Sequence, residues 1–139
     1  MVQGCNRYNE RGRVELENDI SQYIQNQLKQ AQQIESQIEQ VVSQRYQLDN
    51  RIKELEKSLK ELSSISVDTP VYKSVGNILY RVDDRKKLVD ELSEQKELSE
   101  IRIKTLERQQ KSLEDKYKEI ETLVQQKYAE ETSKRGTSQ

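Results

Sequence analysis

The 139-residue sequence contains no histidine, tryptophan or phenylalanine, a single cysteine, a single proline and four glycines. Each shortage excludes something. Without histidine the commonest general base and metal ligand is missing. There is no glycine-rich phosphate loop of the GxxxxGK[ST] type and no Cys/His metal cluster. Cys5 stands alone, which rules out an internal disulfide, and its polar surroundings leave it an inert thiol. No stretch reaches the roughly 20 apolar residues that span a bilayer, and MVQGCNRYNERGR at the start lacks the apolar core of a signal peptide. A soluble, cytoplasmic chain is expected. The many carboxylates could supply an acid–base pair, but on a helical surface without a cleft they are solvated faces. No enzyme activity, cofactor or metal is expected.

What is present points the same way. Only 32% of residues are apolar while 35% are charged, a balance that leaves no thick core. The apolar residues are mostly Leu, Ile and Val spread thinly from Val14 to Val124, which suits a narrow seam between helices. The net charge is -1 with both signs interleaved, so no sustained positive field collects nucleic acid.

Steps of alternately three and four residues from Glu17 reach Ile20, Ile24, Gln27, Ala31, Ile34, Ile38, Val41, Arg45, Leu48, Ile52, Leu55, Leu59 and Leu62. All but Glu17, Gln27 and Arg45 are apolar, and a spacing of 3.5 held this long is the signature of a coiled coil. A second series runs Val89, Leu92, Lys96, Ser99, Ile103, Leu106, Gln110, Leu113, Tyr117, Ile120, Val124 and Lys127. Leu88, Leu98, Ile101 and Leu123 flank it and broaden the stripe, enough for contact with a further neighbour near the start of the second helix. Arg45 and Lys96 interrupt the series. They either fix register at some cost in stability or snorkel from a loose seam.

Between the two series the period changes. Ser63, Ser64, Ser66, Asp68, Thr69 and Pro70 end the first helix, because short polar side chains compete for backbone hydrogen bonds and proline disfavours helix before it. VYKSV at Val71–Val75 and ILYRV at Ile78–Val82 are β-prone, and Gly76-Asn77 fits a two-residue hairpin loop with a positive φ. The register pairs Val75 with Ile78, Lys73 with Tyr80 and Val71 with Val82. Tyr72, Ser74, Leu79 and Arg81 then share the other face. Of Asp83 and Asp84, one is expected to cap the second helix and the other to lie in its first turn.

The fold predicted is mainly α: an antiparallel two-helix coiled coil with one β-hairpin at the helix connection. Its parts are a flexible N-terminus over 1–13, helix 14–64, hairpin 71–82, helix 84–131 and a disordered tail over 132–139. Each helix is about 70 to 75 Å long at 1.5 Å per residue, and residues whose numbers total roughly 148 should lie side by side, with equal rise in both helices. A lone two-stranded hairpin is marginal in water and leaves strand edges unpaired. Hairpins of several chains are therefore expected to pair into a shared inter-subunit sheet or β-barrel.

DTPVYKSVGNILYRVD at Asp68–Asp83 resembles the hairpin region of β-type prefoldin subunits, and LERQ at Leu106–Gln109 is similar to that family's second-helix signature. The resemblance extends from about Ile20 to Val124. β-type subunits carry one hairpin and α-type subunits two, and this chain has room for one. The resemblance implies a hexamer of two α-type and four β-type subunits on a double β-barrel platform, assembled here through Val71, Tyr72, Val75, Gly76, Asn77, Ile78, Leu79, Tyr80 and Val82. It further implies ATP-independent capture of unfolded proteins at the far helix ends and delivery to a group II chaperonin. The matching positions are Leu16, Ile20, Tyr23, Ile24 and Leu28 on the first helix and Tyr117, Ile120, Leu123, Val124 and Tyr128 on the second. Leu16, Tyr23 and Leu28 lie off the seam; Ile20, Ile24, Ile120 and Val124 lie on it, and for them closing the coiled coil is an equal reading. A structural coiled-coil adaptor is the rival function, one that leaves the hairpin without a purpose.

Overall fold

The computed structural model describes residues 3–137, with side chains from Glu10 to Lys134. Helix α1 spans Gln3–Ser64, strand β1 Tyr72–Val75, strand β2 Ile78–Arg81 and helix α2 Arg85–Thr137. The chain divides into two compact units: Val41–Gln109, which holds the hairpin, and Met1–Gln40 with Gln110–Gln139.

Within each unit the burial pattern follows the heptads. The side chains of α1 that are at least half-buried are Ile20, Ile24, Gln27, Ala31, Ile34 and Ile38 in the unit of the helix ends, and Val41, Arg45, Leu48, Ile52, Leu55, Leu59 and Leu62 in the hairpin unit. These are the predicted positions, with Glu17 alone exposed. On α2 every member of the second series is likewise buried or half-buried, joined by Arg85, Leu88, Glu91 and Glu131. The seam is thin: Ile24, Leu55, Leu106 and Ile120 are the buried apolar residues among those described. Leu98 and Ile101 stay exposed, so they do not widen the seam inside the chain.

The charged interruptions find partners across it. Arg45 donates to Glu107 Oε1 at 3.2 Å, and Lys96 Nζ lies 3.4 Å from Glu56 and 3.9 Å from Glu100. The equal-rise estimate would set Arg45 level with Ile103. Its partner lies one helical turn further along α2, as expected when each long side chain leans towards the N-terminus of its own helix and the two heads meet diagonally.

Both helices outrun the predicted bounds. α1 begins at Gln3 instead of Val14, and α2 continues to Thr137 instead of stopping at Glu131. The added residues are polar and carry no seam period, which hid them from a reading based on periodicity. Gln, Arg and Glu are nevertheless good helix formers, and no proline stops them. The expectations for residues 1–2 and 138–139, and for the thiol of Cys5, lie outside what is described.

Local chemistry sets the helix ends at the connection. Ser63 and Ser64 hydroxyls donate back to the carbonyls of Lys60 and Glu61. Arg85 then reaches over from the start of α2, donating to the carbonyls of Leu62 and Ser66 at 2.9 Å each and to that of Ile65 at 3.3 Å. One guanidinium thus satisfies acceptors that a helix end leaves open. Asp84 is the N-cap of α2, its Oδ1 accepting from the Lys87 amide at 3.0 Å. Asp83 precedes the cap, and no acidic residue lies in the first turn. That corrects the expectation of a carboxylate there: with Asp84 outside the helix as its cap, the first turn falls to Arg85, Lys86 and Lys87.

Candidate protein-binding surfaces

The hairpin is the first surface. Strands β1 and β2 pair Tyr72 with Arg81, Lys73 with Tyr80, Ser74 with Leu79 and Val75 with Ile78. The Val82 amide donating to the Val71 carbonyl at 2.8 Å carries the ladder one pair further, in the predicted register. Gly76 has φ +59° and is the only described residue with a positive φ. This is the pattern of a type II′ turn, which puts glycine at its first central position; Asn77 keeps a negative φ.

The two faces differ in surroundings. Lys73 lies 3.8 Å from Glu91 of α2, and Tyr80 and Val82 share a shallow groove with Lys87, Leu88 and Glu91. That face turns towards α2. Tyr72 and Leu79 on the other face are 59% and 71% exposed, and Val75 and Ile78 at the turn are exposed as well. So is Val67 in the connection, at 90%. A hairpin this apolar and this open is a candidate interaction surface.

The second surface lies in the unit of the helix ends. Leu16, Tyr23, Leu28, Leu123 and Tyr128 are exposed, and Val14, which the sequence reading did not single out, is exposed beside them. The Lys127 ammonium sits 5.5 Å from the centre of the Tyr23 ring and 3.9 Å from Glu130, holding the ring at the seam's edge. The remaining candidates have a different place. Ile24 and Ile120 are buried, while Ile20, Tyr117 and Val124 are half-buried on the heptad stripe. These five close the coiled coil, and the off-seam residues form the accessible surface. Val42 and Tyr46 of α1, which belong to the hairpin unit, are exposed too and were not singled out by the sequence. Their only signal was a place one residue beyond the seam positions Val41 and Arg45.

Among the described residues no group of three His, Cys, Asp or Glu side chains could hold a metal ion, and no helix is long and apolar enough to cross a membrane.

Residues 25–131 match the family model described as prefoldin subunit. The chain belongs to the prefoldin family. It is 56% identical over 123 residues to the prefoldin subunit beta of Thermoplasma volcanium, covering 88% of this chain and 99% of that one. Against the prefoldin subunit beta of Thermoplasma acidophilum it is 55% identical over the same coverage. The crystal structure of the prefoldin beta subunit from Thermococcus strain KS-1 superimposes with a TM-score of 0.67 at 35% identity, covering 74% of this chain and 90% of that one. The similarity is thus to β-type subunits, which share the arrangement of two long helices around one hairpin. Prefoldin subunits are components of a chaperone and not an enzyme family, and a subunit of this family is part of a multi-subunit complex.

Proposed function

We propose that the chain is a subunit of an ATP-independent holdase that captures unfolded proteins at the ends of its helices and passes them to a group II chaperonin. The observation that carries this reading is the group of exposed Leu16, Leu28, Leu123 and Tyr128 around a seam already closed by Ile24 and Ile120. The seam accounts for the burial of the latter pair and leaves the former without a structural duty. An unfolded polypeptide exposes apolar side chains that such a surface removes from water at roughly 25 cal/mol per Å². Several weak arms acting together would add avidity without new contacts.

The hairpin serves assembly. Its open edges and its exposed Tyr72, Leu79, Val75 and Ile78 suit pairing with α-type subunits and further copies of this chain into a shared barrel, in a hexamer of two α-type and four β-type subunits. Pairing of this kind satisfies the edge groups that a lone hairpin leaves open. The complex works in the cytoplasm, binds neither nucleic acid nor membrane, and uses no cofactor. A passive adaptor would need the seam but not the exposed helix ends.

The test is the complex reconstituted from this chain and its partner subunits, mixed with a chemically denatured protein and followed by light scattering without nucleotide. Suppressed aggregation is expected. Unchanged aggregation would sink the holdase reading in favour of the adaptor. Removing residues 1–23 together with 120–139 should preserve assembly and abolish suppression; loss of assembly instead would make the helix ends structural.

A further inference from the structure

In the hairpin unit, one side of the helix pair carries an open groove of about 480 Å³. Its floor is Leu48 and Leu106, and its α1 wall carries Gln44, Gln47, Asn50 and Arg51. Arg102 closes it from α2, and it continues past Arg102 to the exposed Leu98. The side-chain amides of Gln44, Gln47 and Asn50 make no hydrogen bond within the described chain, and neither Arg51 nor Arg102 has an ion-pair partner there.

We propose that this groove holds an extended stretch of unfolded polypeptide by its main chain, so that client contact is not confined to the helix ends. The inference rests on the capture function proposed above. Three features select the occupant. Each side-chain amide offers both a donor and an acceptor, which matches the peptide group and is indifferent to client sequence. A helix has already satisfied its main-chain groups and would gain nothing from them. A docked helix would also need an apolar stripe to seat on, and only Leu48 and Leu106 of the main groove's lining are apolar. The wall from Gln44 to Glu54 rises about 15 Å, the reach of roughly four to five extended residues. The free guanidiniums of Arg51 and Arg102 add donors for main-chain carbonyls or for a client carboxylate.

The experiment places a photo-crosslinking residue at Gln47, at Leu16 or, as an outward control, at Lys53 in the reconstituted complex. The probe is reduced, carboxymethylated lactalbumin, a permanently unfolded chain. Crosslinks to the probe from positions 47 and 16 but not 53 are expected. A crosslink from 16 without one from 47 overturns the groove and leaves capture at the helix ends standing. No crosslink from either position overturns both readings, and a crosslink from 47 to another subunit overturns the groove by making it an interface. In parallel, the Gln44→Glu, Gln47→Glu pair should weaken probe binding about tenfold, the worth of one to two amide hydrogen bonds, with melting unchanged because both side chains are exposed. Unaltered binding by this variant equally overturns the proposal.

Discussion

Glycine-to-alanine substitution should have opposite effects at Gly12 and Gly76. Neither position is crowded: a Cβ added at either meets nothing within 4 Å. Any difference therefore comes from the backbone alone. Gly76 holds φ +59° at the first central position of the hairpin turn, a conformation that costs an L-residue roughly 1 to 2 kcal/mol. Gly12 lies inside α1, where alanine is favoured over glycine by about 0.8 to 1.0 kcal/mol. Gly76→Ala should therefore destabilise the hairpin by about 1 to 2 kcal/mol, a roughly five- to thirtyfold shift in opening, and Gly12→Ala should stabilise the first turns of α1 by about 1 kcal/mol. A global melt would miss both effects, since most of the helical signal comes from elsewhere. Amide hydrogen exchange resolves them locally: faster exchange across Tyr72–Val82 in the first variant, and slower exchange in the turns around residue 12 in the second. Unchanged hairpin exchange in Gly76→Ala would refute the positive-φ turn, and faster exchange in Gly12→Ala would refute the early helix start.

Arg85→Ala removes donors to the carbonyl of Leu62 in the last turn of α1 and to those of Ile65 and Ser66 just beyond it, and should cost about 1.5 to 3 kcal/mol in denaturant unfolding. Arg85→Lys should recover only part of it, because an ammonium cannot span the three acceptors as a planar fork does. A double-mutant cycle on Arg45 and Glu107, whose side chains are 30% and 51% exposed, should give a coupling of about 1 kcal/mol or less that shrinks in salt; a larger, salt-insensitive value would make the pair a register lock. Ile24→Ala or Ile120→Ala should cost roughly 2 to 5 kcal/mol of stability, whereas Leu16→Ser and Leu28→Ser should stay within about 0.5 kcal/mol while aggregation suppression falls.

The seam was legible from spacing because a stripe repeating every 3.5 residues can stay buried only against a partner helix. From Ile20 to Leu62 and from Val89 to Lys127, the burial in each unit follows that series, with Glu91 alone added to it. The hairpin was legible because Gly76-Asn77 joins two short β-prone runs of fixed register. The contributions without a local signature were not. Arg85 acts on carbonyls about 20 positions away in sequence, so nothing around it betrays the contact. The stretches 3–13 and 132–137 are helical without an apolar repeat in their sequence, and periodicity cannot report a helix that carries none. Of the candidate site residues, spacing could name a set, but its division into seam and surface required coordinates: Tyr23 and Ile24 are adjacent in sequence, yet one is exposed and the other buried.

A seam this narrow separates stability from binding more cleanly than a globular core does. In a thick core most apolar residues stabilise the fold, and a surface substitution often disturbs packing beneath it. Here a residue one step off the heptad series already faces solvent, as Tyr23 and Leu123 do beside Ile24 and Val124. Its side chain adds little to folding, so it can be exchanged without a cavity forming. The surfaces proposed for assembly and for capture also fall in different compact units, with Tyr72 and Leu79 in one and Leu16 and Leu123 in the other. Substitutions in the two should add independently, within about 0.3 to 0.5 kcal/mol for sites sharing no partner. Combining Leu79→Ser with Leu16→Ser and measuring denaturant unfolding of the isolated chain checks this directly. A coupling well beyond that range would mean that the hairpin and the helix ends are energetically linked, and that binding and assembly cannot be varied separately.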